Sequence, residues 1–455
     1  MSFDIHDECG IFGVILQKPS PNIIQFLYNG LFCLQHRGQE AAGIAFQNKQ
    51  NLDIYKKNGL VANRLFQIAN ENILSTTGIG HVRYSTTEAG KNLNIQPIKV
   101  KCNKGEIAIA HNGNIPNAQN IIAELIQSGS IFQTTSDSEI FLQLLARIPG
   151  NDFNKAIIAV LNQISGAYSL LLQHENRIIA VRDPNGFKPL SIGEVENGFV
   201  FASETCAFDM LGAKFVRDVK PGELVVCDGK TIESTIYSIS KNLSQCIFEL
   251  IYFARPDSIV FGESVHNVRL KLGEKLAQLH HKNCDIVFPV PDSGNSSALG
   301  YSKASGLPFE YGLIRNHYIG RTFINPKQNH RESAVKMKLN PNKITLEGKK
   351  GLLIDDSIVR GTTSKSLVRL LRNVNMKEIH LCFSSPEIKN PCYFGIDTPT
   401  REELISANHT PEQIADMINA DSVNFLSIDG LKSCVKKPDN YCYGCFSGNY
   451  PLCID

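Results

Sequence analysis

No apolar run in the sequence reaches the roughly 18 residues that would cross a membrane, which sets membrane-spanning classes aside. Neither sign of charge is in excess. Lys and Arg number 46 against 44 Asp and Glu, giving a formal net charge of +2 with no basic tail, and this argues against a general nucleic-acid surface. The opening segment MSFDIHDE lacks the basic and apolar regions of a secretory signal, and it is too short and acidic for a transit peptide. Internal repeats and low-complexity tracts are missing as well. What remains is ordinary soluble composition, 42% hydrophobic and 20% charged, in 455 residues, enough for two or three domains with separate cores.

Thirteen cysteines, an odd number without an export signal, argue against a disulfide framework and for a reducing, cytoplasmic compartment. Cys442 and Cys445 form a C-x-x-C amid turn residues in DNYCYGCFSGNYP. Four-thiolate ligation needs a second pair, and Cys246 and Cys392 are candidates; ordinary buried thiols are the alternative. Cys9, between the acidic opening and the run CGIFGVIL, is open to three readings: core residue, metal ligand or nucleophile.

The chain has two rhythms. Up to about residue 240, short β-like runs such as CGIFGVIL, GIGHVRYST, EIAIAH and AYSLLLQ alternate with helical stretches, which predicts a layered domain of strands packed with helices. IYSISKNLSQ reads as a connection. Beyond it, the helix VRLKLGEKLAQL, the strand CDIVFPV, and the strand GLLID with a following helix predict βα units around a largely parallel sheet. Near the end, NHTPEQ supplies an N-cap with Pro at N1 and Gln at N3.

The richest stretch is KKGLLIDDSIVRGTTSKSLVRLLRN. An apolar strand ends in Asp355 and Asp356, and a loop then leads into an amphipathic helix. Ligands of parallel sheets bind beyond the carboxyl ends of strands. Gly361, the hydroxyls of Thr362 and Thr363, and helix N-terminal amides suit a phosphate, while adjacent carboxylates suit hydroxyls or Mg²⁺. This is not a Walker loop, because no Gly-Lys-Ser/Thr stands at the required spacing.

The stretch resembles the ribose-phosphate signature of type I phosphoribosyltransferases. The resemblance implies Asp355 and Asp356 at ribose hydroxyls, with Arg360, Gly361, Thr362 and Thr363 around the 5′-phosphate. In FPVPDSGNSSALGY, Ser293 would approach Mg²⁺ or pyrophosphate together with the two aspartates. The polar segment RNHYIGRTFINPKQNHRESAVKMKLNP, with Arg321, Lys327, Arg331, Lys336 and Lys338, is open to two readings: a solvated surface loop, or a mobile lid whose cations would close over pyrophosphate and exclude water.

CGIFGV, LQHRGQEAAGIAF, GIGHVRYSTT, AHNGNI and SDSEI precede that signature in order. Together they resemble the glutamine phosphoribosylpyrophosphate amidotransferase family over nearly the whole chain. The resemblance implies an N-terminal-nucleophile αββα glutaminase domain over 9–240, a leader at 1–8, and a type I phosphoribosyltransferase domain over 241–455. Removal of the leader would free the α-amine of Cys9, whose ordinary pKa of about 7.7–8.0 suits it as base for its own thiol. Asn112 and Gly113 would form the oxyanion hole, Arg83 would pair with the glutamine α-carboxylate, and Asp137 would hold its α-amino group. His81 and His111 read as structural, and His36 to Gln39 as shaping the site and the interface. Glu88 departs from the family pattern, which favours a small residue there.

Leader-bearing members carry a [4Fe–4S] cluster, which the resemblance assigns to Cys246, Cys392, Cys442 and Cys445; Cys33, Cys434 and Cys453 read as core or incidental thiols. It also implies a homotetramer inhibited by purine nucleotides, with glutamine and phosphoribosyl pyrophosphate as substrates, 5-phosphoribosylamine as product, and a transient ammonia channel between the sites. Two rivals are disfavoured. A sugar-diphosphate-sensing repressor would leave the glutaminase half idle, and an amidotransferase for another acceptor does not need DDSIVRGTTS.

Overall fold

The computed structural model describes residues 9–69, 71–84, 92–316 and 339–452. The leader, Glu88, the lid cations Arg321, Lys327, Arg331, Lys336 and Lys338, and Cys453 lie outside the described residues.

In the first half the strands are β1 (Cys9–Ser20), β2 (Ala41–Asn48), β3 (Asn51–Asn58) and β4 (Ser75–Arg83), followed by β5 (Ile98–Cys102) and β6 (Gly105–Asn114). After three helices come β7 (Ala167–His174), β8 (Arg177–Arg182), β9 (Ser191–Val195), β10 (Gly198–Ala202), β11 (Lys214–Asp218), β12 (Glu223–Cys227) and β13 (Ile232–Ile236). They pair as two antiparallel sheets, β11-β9-β10-β1-β4-β2-β3 and β13-β12-β8-β7-β6-β5.

The opening run explains the layering. Successive side chains of a strand point to opposite faces. On β1, Ile11 and Ile15 point one way and Phe12, Val14 and Leu16 the other, and all are buried. A strand apolar on both faces needs a layer on each side. Ile11, Ile15 and Ile79 meet Ala108, Ala110, Leu171 and Ala180 of the second sheet. Phe12 and Val14 meet Ile24, Leu27 and Phe208 of the helices Ile23–Cys33 and Cys206–Leu211. On the far side, Ile109, Leu170 and Leu172 pack on Ile122, Phe141 and Ile157 of the helices Ala118–Gln127, Ser138–Arg147 and Phe153–Leu161. The result is the αββα order that the resemblance implies.

Residues 237–244, most of the expected connection, form neither helix nor strand. The second half is built on four parallel strands in spatial order Ile286–Pro289, Lys350–Asp355, Glu378–Phe383 and Ser422–Phe425. Leu272, Leu276 and Tyr301, from the helices Val265–Leu279 and Asn295–Ser305, cover one face. Leu367, Leu371 and Ile414, from Thr362–Arg372 and Pro411–Ile418, cover the other. Thr410 caps the last of these helices through the full capping box with Gln413, as NHTPEQ predicts.

Candidate active site

Cys9, fully buried, begins β1 directly opposite Arg83, the last residue of β4. Gly38 lies beneath this pair, where a Cβ would come within 2.5 Å of the Arg83 backbone. The two sheets are tied at this end by His81, whose Nε2–H donates to the carbonyl of His111 at 3.1 Å. Because the partner is a carbonyl, the tautomer is fixed, and burial lowers the His81 pKa to about 3, so the ring is neutral. This crossing brings Asn112 and Gly113, on β6, to the same end as Cys9 and Arg83.

Asp137, at the N-terminus of the helix Ser138–Arg147, accepts from the Ile115 amide at 3.0 Å and stands 3.4 Å from His111 Nδ1. Gly113 has φ +147°, and an added Cβ would meet the Ala167 carbonyl at 1.9 Å, so glycine is required by the approach of β7. The Asn112 side chain is fully buried, and among the described residues neither amide atom has a hydrogen-bond partner. An unused buried amide costs about 1–3 kcal/mol, and a ligand oxygen placed there recovers it.

Beneath Cys9 is an ion network that spacing alone does not show. Arg37 is completely buried; its Nε donates to the Cys9 carbonyl at 3.0 Å, its Nη1 to Glu204 at 2.5 Å, and both Nη atoms to Glu249 at 2.9 and 2.6 Å. Phe253 stacks under the guanidinium, 4.3 Å from ring centre to Cζ. Burial alone would raise the Glu204 carboxyl, but His36 at 2.6 Å and Arg37 hold it well below the usual range. Of the stretch HRGQ, Arg37 thus joins the two halves and also reaches Cys9 itself. The signal that was missed is a glutamate inside the apolar run CIFELIYF.

The halves also meet at the segment 392–398. Asn114 Nδ2 donates to the Tyr393 carbonyl at 2.8 Å, and the fully buried Lys188 donates to that of Gly395 at 2.9 Å. This segment carries Cys392. Cys246 and Cys442 are adjacent across a short parallel bridge, and the Cys445 carbonyl accepts from the amides of Lys389 and Asn390, both at 3.0 Å. All four cysteines line one largely apolar cavity with Phe187 and Phe394. Burial, reinforced by the neighbouring cysteines, raises the Cys445 thiol, and burial pushes Cys442 up to about 12. Such thiols need a metal to become thiolates. Among the described residues no three His, Cys, Asp or Glu side chains are grouped as ligands of one ion. Four cysteines facing one cavity are the donor set that a [4Fe–4S] cluster would take, so the residues present fit it. Cys33 and Cys434 are buried core thiols.

In the second half, Asp355 ends its strand beside Asp356. The Ser293 hydroxyl donates to Asp355 at 3.4 Å, and that of Ser357 donates to Asp356 at 2.6 Å. Burial and the neighbouring Asp356 carboxylate raise the Asp355 pKa well above normal, and a cation would relieve that repulsion. The donors therefore fit Mg²⁺. Gly361 takes φ +77° to start the helix on which Thr362 and Thr363 are the first residues. Arg360 is exposed and pairs with Glu403 at 3.3 Å, so its guanidinium stands on that partner.

Similarity to known proteins covers both halves of the chain. A glutamine amidotransferase domain model matches residues 81–210, and a phosphoribosyl transferase domain model matches residues 267–392. The chain is 45% identical to the amidophosphoribosyltransferase of Methanocaldococcus jannaschii over 97% of each chain. To that of Bacillus subtilis it is 44% identical, covering 98% of this chain and 94% of the relative. The solved glutamine phosphoribosylpyrophosphate amidotransferase of B. subtilis, complexed with ADP and GMP, superposes with a TM-score of 0.90 at 43% identity, covering 98% of each chain. Likeness of this extent, carried by both halves at once, makes the chain a member of the amidophosphoribosyltransferase family.

Proposed function

We propose that two sites, one in residues 9–240 and one in 241–455, divide the family's reaction, the first step of purine biosynthesis. After loss of residues 1–8, the free α-amine of Cys9 takes the proton of its own thiol, and the sulfur attacks the glutamine side-chain carbonyl. The Asn112 amide and the Gly113 N–H receive the oxyanion while Arg83 and Asp137 hold the α-carboxylate and α-amino group. Collapse expels ammonia and leaves a thioester, which water cleaves to glutamate. Ammonia then attacks C1 of phosphoribosyl pyrophosphate, pyrophosphate departs, and 5-phosphoribosylamine results. The observation that carries this reading is the buried, unpartnered Asn112 amide at the sheet end that holds Cys9.

At the second site Asp355 and Asp356 take the ribose hydroxyls, and Gly361, Thr362 and Thr363 take the 5′-phosphate, joined by Arg360 if it leaves Glu403. Arg321 and Lys327 are assigned to pyrophosphate from sequence alone. Ser293, Asp355 and Asp356 would hold Mg²⁺, which supplies charge neutralisation for the departing pyrophosphate. Cys246, Cys392, Cys442 and Cys445 would hold one [4Fe–4S] cluster, which supplies a structural cross-link and oxygen lability. A cytoplasmic homotetramer inhibited by purine nucleotides completes the proposal; the ADP and GMP in the B. subtilis structure support the nucleotide part. Among the described residues no helix is long and apolar enough to cross a membrane.

Glutamate release by anaerobically purified protein, with glutamine and Mg²⁺, tests the reading. Strong stimulation by phosphoribosyl pyrophosphate, with matching pyrophosphate release, is expected. Glutamate release indifferent to the sugar diphosphate would mean another acceptor.

A further inference from the structure

The network under Cys9 spans the two halves of the chain. Arg37 and Glu204 belong to the glutaminase half, and Glu249 is 212 residues from Arg37, on the turn Glu249–Phe253 that follows Cys246. All three side chains are completely buried. Two carboxylates thus share the terminal nitrogens of one guanidinium, and its Nε–H is spent on the carbonyl of Cys9. The fork to Glu249 uses both terminal nitrogens, which fixes the guanidinium plane and the direction of Nε–H.

That direction matters because the amine, the thiol-bearing carbon and the carbonyl of Cys9 all hang on one Cα. Rotation about the Cα–C bond would swing the amine and sulfur relative to Asn112 and Gly113. We propose that Glu249 is a positioning residue for the glutaminase reaction, acting through Arg37, so that the phosphoribosyltransferase half holds the nucleophile in register through one buried fork. The proposal rests on the reading of Cys9 as nucleophile. Glu204 cannot replace Glu249 in this role, since its second carboxylate oxygen is already taken by the Arg255 amide at 2.9 Å and the Ser258 hydroxyl at 2.7 Å.

Glu249→Gln keeps the shape and removes the charge; Arg37→Lys keeps the charge and removes the fork. Both are compared with wild type for glutamine-dependent and ammonia-dependent synthesis, with thermal unfolding confirming that each is folded. Expected in each is a fall of about 10- to 100-fold in glutamine-dependent kcat, with KM for glutamine and the ammonia-dependent rate changed less than about threefold. The double variant should be no worse than the poorer single one, because both break the same link. Parallel loss of both activities, unchanged glutamine use, or failure of both single variants to fold would each overturn the assignment. Cys9→Ala separates the two layers: if it retains glutamine use, the nucleophile reading fails, whereas if it loses that use the Glu249 result judges this proposal alone.

Discussion

Two sets of acids, one completely buried and one at the edge of the interior, behave in opposite ways. Glu204 and Glu249 close around Arg37, so each carboxylate has a cationic partner within the fold. Asp355 and Asp356 stand side by side at a strand end, and among the described residues neither forms an ion pair. The first set is finished by the protein itself, and it holds the backbone of Cys9. The second has no such partner within the described residues, and in the proposed reaction a substrate and its cation would supply one. Buried charge therefore reads as scaffold where it is internally paired and as a binding site where it is not.

The widest break between the regions comes from Cys9→Ala. Glutamine-dependent synthesis should fall on the order of 10⁴-fold or more, while ammonia-dependent synthesis at high pH persists. Asp355→Asn attacks the other region: glutamine- and ammonia-dependent synthesis should fall together, by about 10²–10³-fold. Without ligands the same variant should melt at a higher temperature than wild type, because it removes a raised, repelled carboxylate.

Glu204→Gln sharpens the contrast through stability. Breaking a buried pair leaves Arg37 and His36 short of their partner, at a cost of about 3–5 kcal/mol, which urea unfolding measures.

The smallest effect, opposite pH slopes, is the most specific. The folded pKa of Asp355 is raised above 3.8, so its contribution to stability is full below pH 3.8 and is lost as pH rises through the folded value. Glu204 is depressed below 4.5, so its contribution is full above pH 4.5 and is lost as pH falls through the folded value. Melting temperatures across pH about 4 to 8 should show the advantage of Asp355→Asn over wild type growing with pH. The deficit of Glu204→Gln should shrink toward the acid end. Each slope is at most about 1.4 kcal/mol per pH unit.

Much of the architecture was legible in local pattern. The double-faced apolar alternation of CGIFGVIL demands layers on both sides of β1, the carboxyl end of GLLIDD sits where parallel sheets bind ligands, and NHTPEQ builds its cap within six residues. The family resemblance offers Gly113 of AHNGN as an oxyanion-hole residue, whereas its requirement for glycine comes from the carbonyl of Ala167 on the neighbouring strand.

The amino-acid sequence by itself determined the two kinds of sheet and the order of their elements, because those follow from periodicity and from contacts a few residues long. Only the tertiary structure decided which charges meet. Arg37 finds Glu249 across 212 residues and Lys188 finds Gly395 across 207, and no local spacing encodes either. Such pairs arise where packed layers bring distant polar groups into a space without water, so that each must take whatever partner the fold supplies.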